Sequence, residues 1–146
     1  MARETGGRII VQIFKNDTYG TPRPGVSNLF QKTKIHGMNN GYQTCIDTCL
    51  RCANTCDDCA ASCLQEPDVT MMAKCIQLDI ECSHVCKTAA VLMNLKSDHA
   101  NAICQVCADI CIACAEECEN YDHDHCRHCA AVCRECADKC MSMTAA

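Results

Sequence analysis

The sequence has no tryptophan, two phenylalanines and three tyrosines. The bulky rings that usually fill a small core are nearly missing, so something else must make the interior cohere. It also has no apolar run long enough to span a bilayer. The first residues, MARETGGRIIVQIF, show no signal peptide, because the run IIVQIF is too short for its hydrophobic region. Lysine and arginine are not clustered and the formal net charge is -5, which argues against a phosphate-binding surface and so against nucleic acid. A chain of 146 residues is of single-domain length, enough for one real core.

What the chain has instead is nineteen cysteines. That density ordinarily marks a secreted disulfide scaffold. Here the count is odd, the cysteines fall at helical intervals and no leader precedes them. Packed helix axes lie about 8–10 Å apart, whereas a disulfide needs Cα atoms within roughly 7 Å, so cross-helix bridges would strain the packing. Reduced thiols in the cytoplasm are the expectation.

The spacing dictates the architecture. Cys45, Cys49, Cys52, Cys56, Cys59 and Cys63 advance by four and three in turn. An average step of about 3.5 residues is the inward seam of a bundled helix, here occupied by sulfur where leucine would normally stand. Helix one should run over 40–64 and stop before Glu66-Pro67-Asp68, with Pro67 as the break and Asp68 as the next cap. Helix two, over 69–95, has the seam Met72, Cys75, Asp79, Cys82, Cys86, Ala89 and Met93, with more ordinary hydrophobes beside it. After the capping signal Ser97-Asp98, helix three (98–119) carries Cys104, Cys107, Cys111, Cys114 and Cys118. Beyond the turn Asn120-Tyr121-Asp122, helix four (123–142) carries Cys126, Cys129, Cys133, Cys136 and Cys140. Four such helices with short connections predict an all-α protein, an antiparallel four-helix bundle with a cysteine-lined core spanning 38–146. Ala53, Ala60, Ala108, Ala115, Ala130 and Ala137 each follow a seam cysteine. Small neighbours there let the helices approach.

Residues 1–37 read as a separate, extended N-terminal arm. They contain no cysteine, hold all but one of the prolines, and include a strand-like segment at 8–14. Two readings stand side by side: a leader segment without a role in assembly, or an arm whose Ile9, Ile10, Val11 and Ile13 add a strand to a neighbouring subunit or shell.

One or two buried cysteines would be small hydrophobes and nothing more. Nineteen at seam intervals forgo the larger apolar burial of leucine or isoleucine at each place, which points to thiolate chemistry. Soft thiolates select Cu(I), zinc or iron–sulfur clusters. Structural zinc wants closed sets of four from knuckles in turns, and iron–sulfur clusters want discrete fours. A continuous ladder without obvious groups of four suits many Cu(I) ions held by pairs and shared sulfurs.

The CxxxCxxCxxxCxxCxxxC ladder from Cys45, the CxxCxxxCxxCxxxC ladders from Cys104 and Cys126, and the HDHC run at His123–Cys126 resemble the cytosolic copper storage proteins over about residues 38–143. That resemblance implies a cysteine-lined four-helix bundle holding multiple Cu(I) ions in its core, storage and buffering in the cytoplasm, and no catalysis. The nineteen cysteines are then the candidate metal ligands. The alternative is a general thiolate buffer for zinc or cadmium. A thiol oxidoreductase would want one exposed, activated CxxC, not a buried ladder.

The antiparallel arrangement gathers Met71, Met72, His123 and His125 at one end, where soft thioethers and imidazoles are candidate uptake ligands. The other end gathers Met38, Met93, Met141, Met143 and His99. Each methionine has the simpler reading of end packing. His36, His84 and His128 are expected on the surface. Asp79 is either an acid solvated near an opening or a carboxylate that ligates or gates metal, the latter encouraged by the family resemblance. Expected partners are copper donors or acceptors, whether low-molecular-weight thiols or a copper chaperone, and further copies of the chain in a homo-oligomer, through the arm or otherwise. No membrane partner is expected.

Overall fold

The structure is a computed structural model and describes residues 40–144. The expected N-terminal arm and its expected strand at 8–14, with His36 and Met38, lie outside the described residues. Four helices follow one another, α1 (Asn40–Cys63), α2 (Ala73–Asn94), α3 (Ala100–Cys118) and α4 (Asp124–Thr144), and no strand occurs among the described residues. Each backbone packs against its two ring neighbours, α1 on α2 and α4, and α3 on α2 and α4. Cys45 near the start of α1 meets Cys140 near the end of α4, while Cys63 at the end of α1 meets Cys75 and Cys126 near the starts of α2 and α4. The bundle is therefore antiparallel, as the short connections require.

Small side chains make the close approach. The six alanines beside seam cysteines are all buried. Ordinary hydrophobes are few and sit between helices and at the ends: Ile46, Leu78 and Val132 are buried, and Met72 and Met93 close the two ends of the α2 seam. Ion pairs stitch the outer edges. Asp57 of α1 accepts from Lys87 of α2 at 2.7 Å, Arg51 of α1 pairs with Glu135 of α4, and Arg134 of α4 holds Glu119 through two bonds of 2.7 and 2.8 Å. Exposed pairs of this kind contribute little to stability.

Helix two starts later than the sequence predicts, at Ala73 and not at 69. Residues 64–72 form tight turns, in which the Asp68 carbonyl accepts from the Met71 N–H at 2.9 Å and the Val69 carbonyl from Met72 at 3.0 Å. Asp68 thus closes a turn through its backbone, and the N-cap of α2 is Met72, with no side-chain cap. The Tyr121 hydroxyl lies 2.8 Å from the Met71 carbonyl and 3.0 Å from a Glu117 carboxylate oxygen, fastening this linker to the α3–α4 turn. At the other end of α2 the Ser97 N–H reaches the Leu92 carbonyl and the Lys96 N–H the Met93 carbonyl, both at 3.0 Å. This is a Schellman closure, and it puts Lys96 at φ 52, where glycine is the usual residue. The expected cap at Ser97-Asp98 is displaced: the N-cap of α3 is His99, with no side-chain cap, and the Ser97 hydroxyl instead closes a turn before the helix by accepting from the His99 N–H at 3.2 Å.

Candidate metal centre

All nineteen cysteines are buried free thiols. Helical period alone puts each file of them on one face, and antiparallel packing turns the four files toward a common axis. Sulfurs also bridge the diagonals that the backbones do not, as Cys82 to Cys133 and Cys86 to Cys136, both at 3.9 Å. Contacts along and across the axis run from 3.5 Å, as in Cys56–Cys133 and Cys86–Cys107, to 4.0 Å, as in Cys107–Cys111. A metal about 2.3 Å from three sulfurs in a plane holds them about 4.0 Å apart. The ladder is thus already spaced for shared metals without backbone movement.

The expectation of a ladder lacking groups of four is corrected here. Sulfurs from different helices converge in fours within 4.8 Å of one another, among them Cys49/Cys107/Cys136/Cys140, Cys52/Cys82/Cys86/Cys111 and Cys59/Cys63/Cys75/Cys126. A single sequence shows spacing within a helix, not which rungs face each other. The fours are not separate sites, however: Cys52/Cys56/Cys82/Cys133 and Cys56/Cys114/Cys129/Cys133 share two members. Shared members are what bridging thiolates require.

Asp79 interrupts the sulfur. It is fully buried, so its reading as an acid solvated near an opening is wrong. Its Oδ1 lies 3.2 Å from Cys114, 3.3 Å from Cys129 and 3.7 Å from Cys118, and its Oδ2 lies 3.8 Å from Cys75, with each thiol donating. Burial first, and then the neighbouring Cys129 and Cys114, push its carboxyl up to about 11. It is held as a neutral acid.

The thiols behave likewise at the ends, where burial pushes Cys63 up and raises Cys126 to about 12. In the middle they titrate as a set. Hydrogen bonds led by Cys111 hold Cys52 down while others led by Cys114 push Cys56 up, so one thiol cannot lose its proton without moving its neighbours.

The end built from the α1–α2 and α3–α4 turns brings several predicted residues together. His125 Nε2 lies 3.5 Å from Cys63 Sγ. The rings of His123 and His125 stack at 5.2 Å, and His123 is the more exposed of the two. Met72 is buried in the α2 seam, whereas Met71 is 73% exposed. Glu66 was missed, being read only as part of the helix break: its Oε1 lies 3.3 Å from His123 Nδ1 and 3.9 Å from His125 Nδ1. The signal was there, because the two turns that carry Glu66 and the histidines share one end of any antiparallel bundle. At the opposite end Met93 is buried, Met141 is exposed, and Met143 Sδ lies against Gly41. His84, His99 and His128 are on the surface.

The sequence profile of the copper storage protein family, Csp, matches residues 38–145. The uncharacterized cysteine-rich protein YhjQ of Bacillus subtilis strain 168 is 43% identical over 90 residues, covering 62% of this chain and 83% of that protein. Among solved structures, apo copper storage protein 3 from Bacillus subtilis is 42% identical with a TM-score of 0.67, covering 70% of this chain and 97% of that one. The copper storage protein of Streptomyces lividans loaded with 10 copper equivalents is 35% identical with a TM-score of 0.71, covering 80% and 94%. A profile match over the whole four-helix region, joined by sequence and fold matches to relatives, places the chain: it belongs to the copper storage protein family.

Proposed function

We propose that the chain binds and stores multiple Cu(I) ions on its core thiolates, buffers copper in the cytoplasm and catalyses no reaction. The observation that carries this reading is the overlap of the four-sulfur groups, in which one thiolate serves two neighbouring ions. Sharing also limits buried charge. Two thiolates on one Cu(I) leave a net negative charge in a dry tube, and a bridging sulfur divides that burden between ions. The nineteen cysteines are the ligands, with Asp79 as a further ligand or gate. Cu(I) arrives from a small thiol or a chaperone and enters where His123 and His125 stand beside Cys63, passing inward by ligand exchange.

Among the described residues no helix is long and apolar enough to cross a membrane. The exposed Ile80 and Val91 of α2 and Leu95 at its C-cap support association with further copies. Residues 1–37 form a separate arm in this reading. Deleting them tests an assembly role, and an unchanged oligomer would remove it.

Anaerobic titration with Cu(I) against a strong chelator tests storage. Many tightly held ions per chain are expected, and weak binding of one or two would sink the proposal. The zinc or cadmium buffer is separated by competing Cu(I) with Zn(II) and weighing the species by mass spectrometry under reducing conditions.

A further inference from the structure

Closed triangles of sulfur recur in the middle of the ladder. Cys82, Cys86 and Cys111 stand 3.5, 3.7 and 3.9 Å from one another. Cys56, Cys129 and Cys133, which share no member with that set, also stand 3.5, 3.7 and 3.9 Å apart. A further triangle, Cys52, Cys82 and Cys133 with edges of 3.6, 3.9 and 3.9 Å, draws one sulfur from each of α1, α2 and α4. Every one of these thiols is free and fully buried.

Three thiols this close suit an element that forms three bonds to sulfur and leaves no charge behind. Arsenous acid, As(OH)3, is a small neutral molecule that exchanges oxygen for sulfur. Three S–H and three As–OH groups become three As–S bonds and three waters, and nothing is oxidised or reduced. The product is a pyramid. With bonds of about 2.3 Å, the length of a metal–thiolate bond, and angles of roughly 100°, its sulfurs lie about 3.5 Å apart, against about 4.0 Å for three sulfurs in a plane. The triangle edges start at the first figure and stop short of the second. Charge points the same way. Cu(I) keeps one negative charge on two thiolates and two on three, whereas arsenic with three thiolates is neutral and costs a dry tube no buried charge.

We infer that the copper-free bundle also captures trivalent arsenic, with one atom on Cys82, Cys86 and Cys111 and another on Cys56, Cys129 and Cys133. The first set joins α2 to α3 and the second joins α1 to α4. An atom bound in this way ties two helices together, so the adduct resists heat better than the free chain. Arsenic binding rests on where the thiols stand and not on the storage reading. Its competition with copper rests on both.

Sodium arsenite is the probe, titrated into the reduced full chain without oxygen. Native mass spectrometry should show at least two arsenic atoms per chain, each adding the mass of arsenic less three hydrogens. An adduct that keeps a hydroxyl on arsenic, with only two sulfurs bound, overturns the three-sulfur site. Circular dichroism should show the helices retained and the melting temperature raised. Lost helix or lowered melting means that arsenic takes neighbouring cysteines of an opened chain, which overturns the preformed triangles. Cys111→Ser with Cys133→Ser breaks all three triangles and should lose both tightly held atoms. Cys45→Ser with Cys126→Ser also removes two thiols but breaks none of the three, and should lose less; equal losses overturn the assignment. In a second arm, chain loaded with arsenic should take up fewer Cu(I) ions than free chain. Full copper uptake with the arsenic still bound would place it outside the tube and overturn the inference. Failure of the free chain to take up many Cu(I) ions, beside the expected arsenic adducts, would overturn storage alone.

Discussion

Asp79 Oδ1 stands 3.2 Å from Cys114 Sγ in the middle of the bundle, with Cys129 and Cys118 donating to the same atom. This buried carboxyl keeps its proton to about pH 11. The unfolded chain gives that proton up above about pH 3.9. The folded state is therefore penalised increasingly as pH rises from there, by up to about 4 kcal/mol at neutrality. Asp79→Asn should stabilise the copper-free protein at pH 7 and lose that advantage toward pH 4. Denaturant titrations of both proteins across this range check the sign, and a constant difference would contradict it.

Cys133 belongs to two overlapping groups of four, whereas Cys45 stands at the last rung, 3.9 Å from Cys140. Cys133→Ser should remove more than one Cu(I) from the full load and Cys45→Ser fewer. Metal analysis after anaerobic loading and chelator washing gives both numbers. Equal losses would mean that the rungs fill as independent sites.

Copper loading should weaken in acid. Cys63 is raised and Cys126 titrates near 12, so each thiol recruited by metal releases a proton at neutral pH. Each such thiol contributes about a tenfold loss of apparent affinity per pH unit of acidification. Chelator competition at pH 6, 7 and 8 reads the slope, and proton release measured in weak buffer gives the same count.

Lys96 at φ 52 places a side chain where only the backbone is wanted. Lys96→Gly should raise stability of the copper-free protein by about 0.5–1 kcal/mol without altering copper capacity. A thermal melt is sufficient. No change in melting would show that the strain is relieved elsewhere in the turn.

Much of this molecule was legible in one line of text because two periods coincide. The steps of three and four between cysteines fix both the helices and the face each presents, so α1, α3 and α4 were placed to within two residues at either end. Helix two was harder. The seam pattern extends back to Met72, but residues 64–72 run in turns and the Tyr121 hydroxyl bonds the Met71 carbonyl just before α2 begins at Ala73. The site divides in the same way. Which thiols face inward follows from period, but which four meet depends on the relative heights of the helices. Those heights follow from side-chain packing between helices, which no single-helix pattern contains. Asp79 illustrates the limit: its seam position was evident, but its depth was not.

Because neighbouring groups of four have sulfurs in common, the interior has no fixed addresses. A partly filled chain can place its ions in many arrangements of similar energy, and that multiplicity is itself an entropy favouring intermediate filling. The protein would then respond to copper along a gradual slope and not in steps, giving up ions over a wide range of free concentration. Packing sulfur so that each rung serves two neighbours makes the difference between a row of traps and a reservoir.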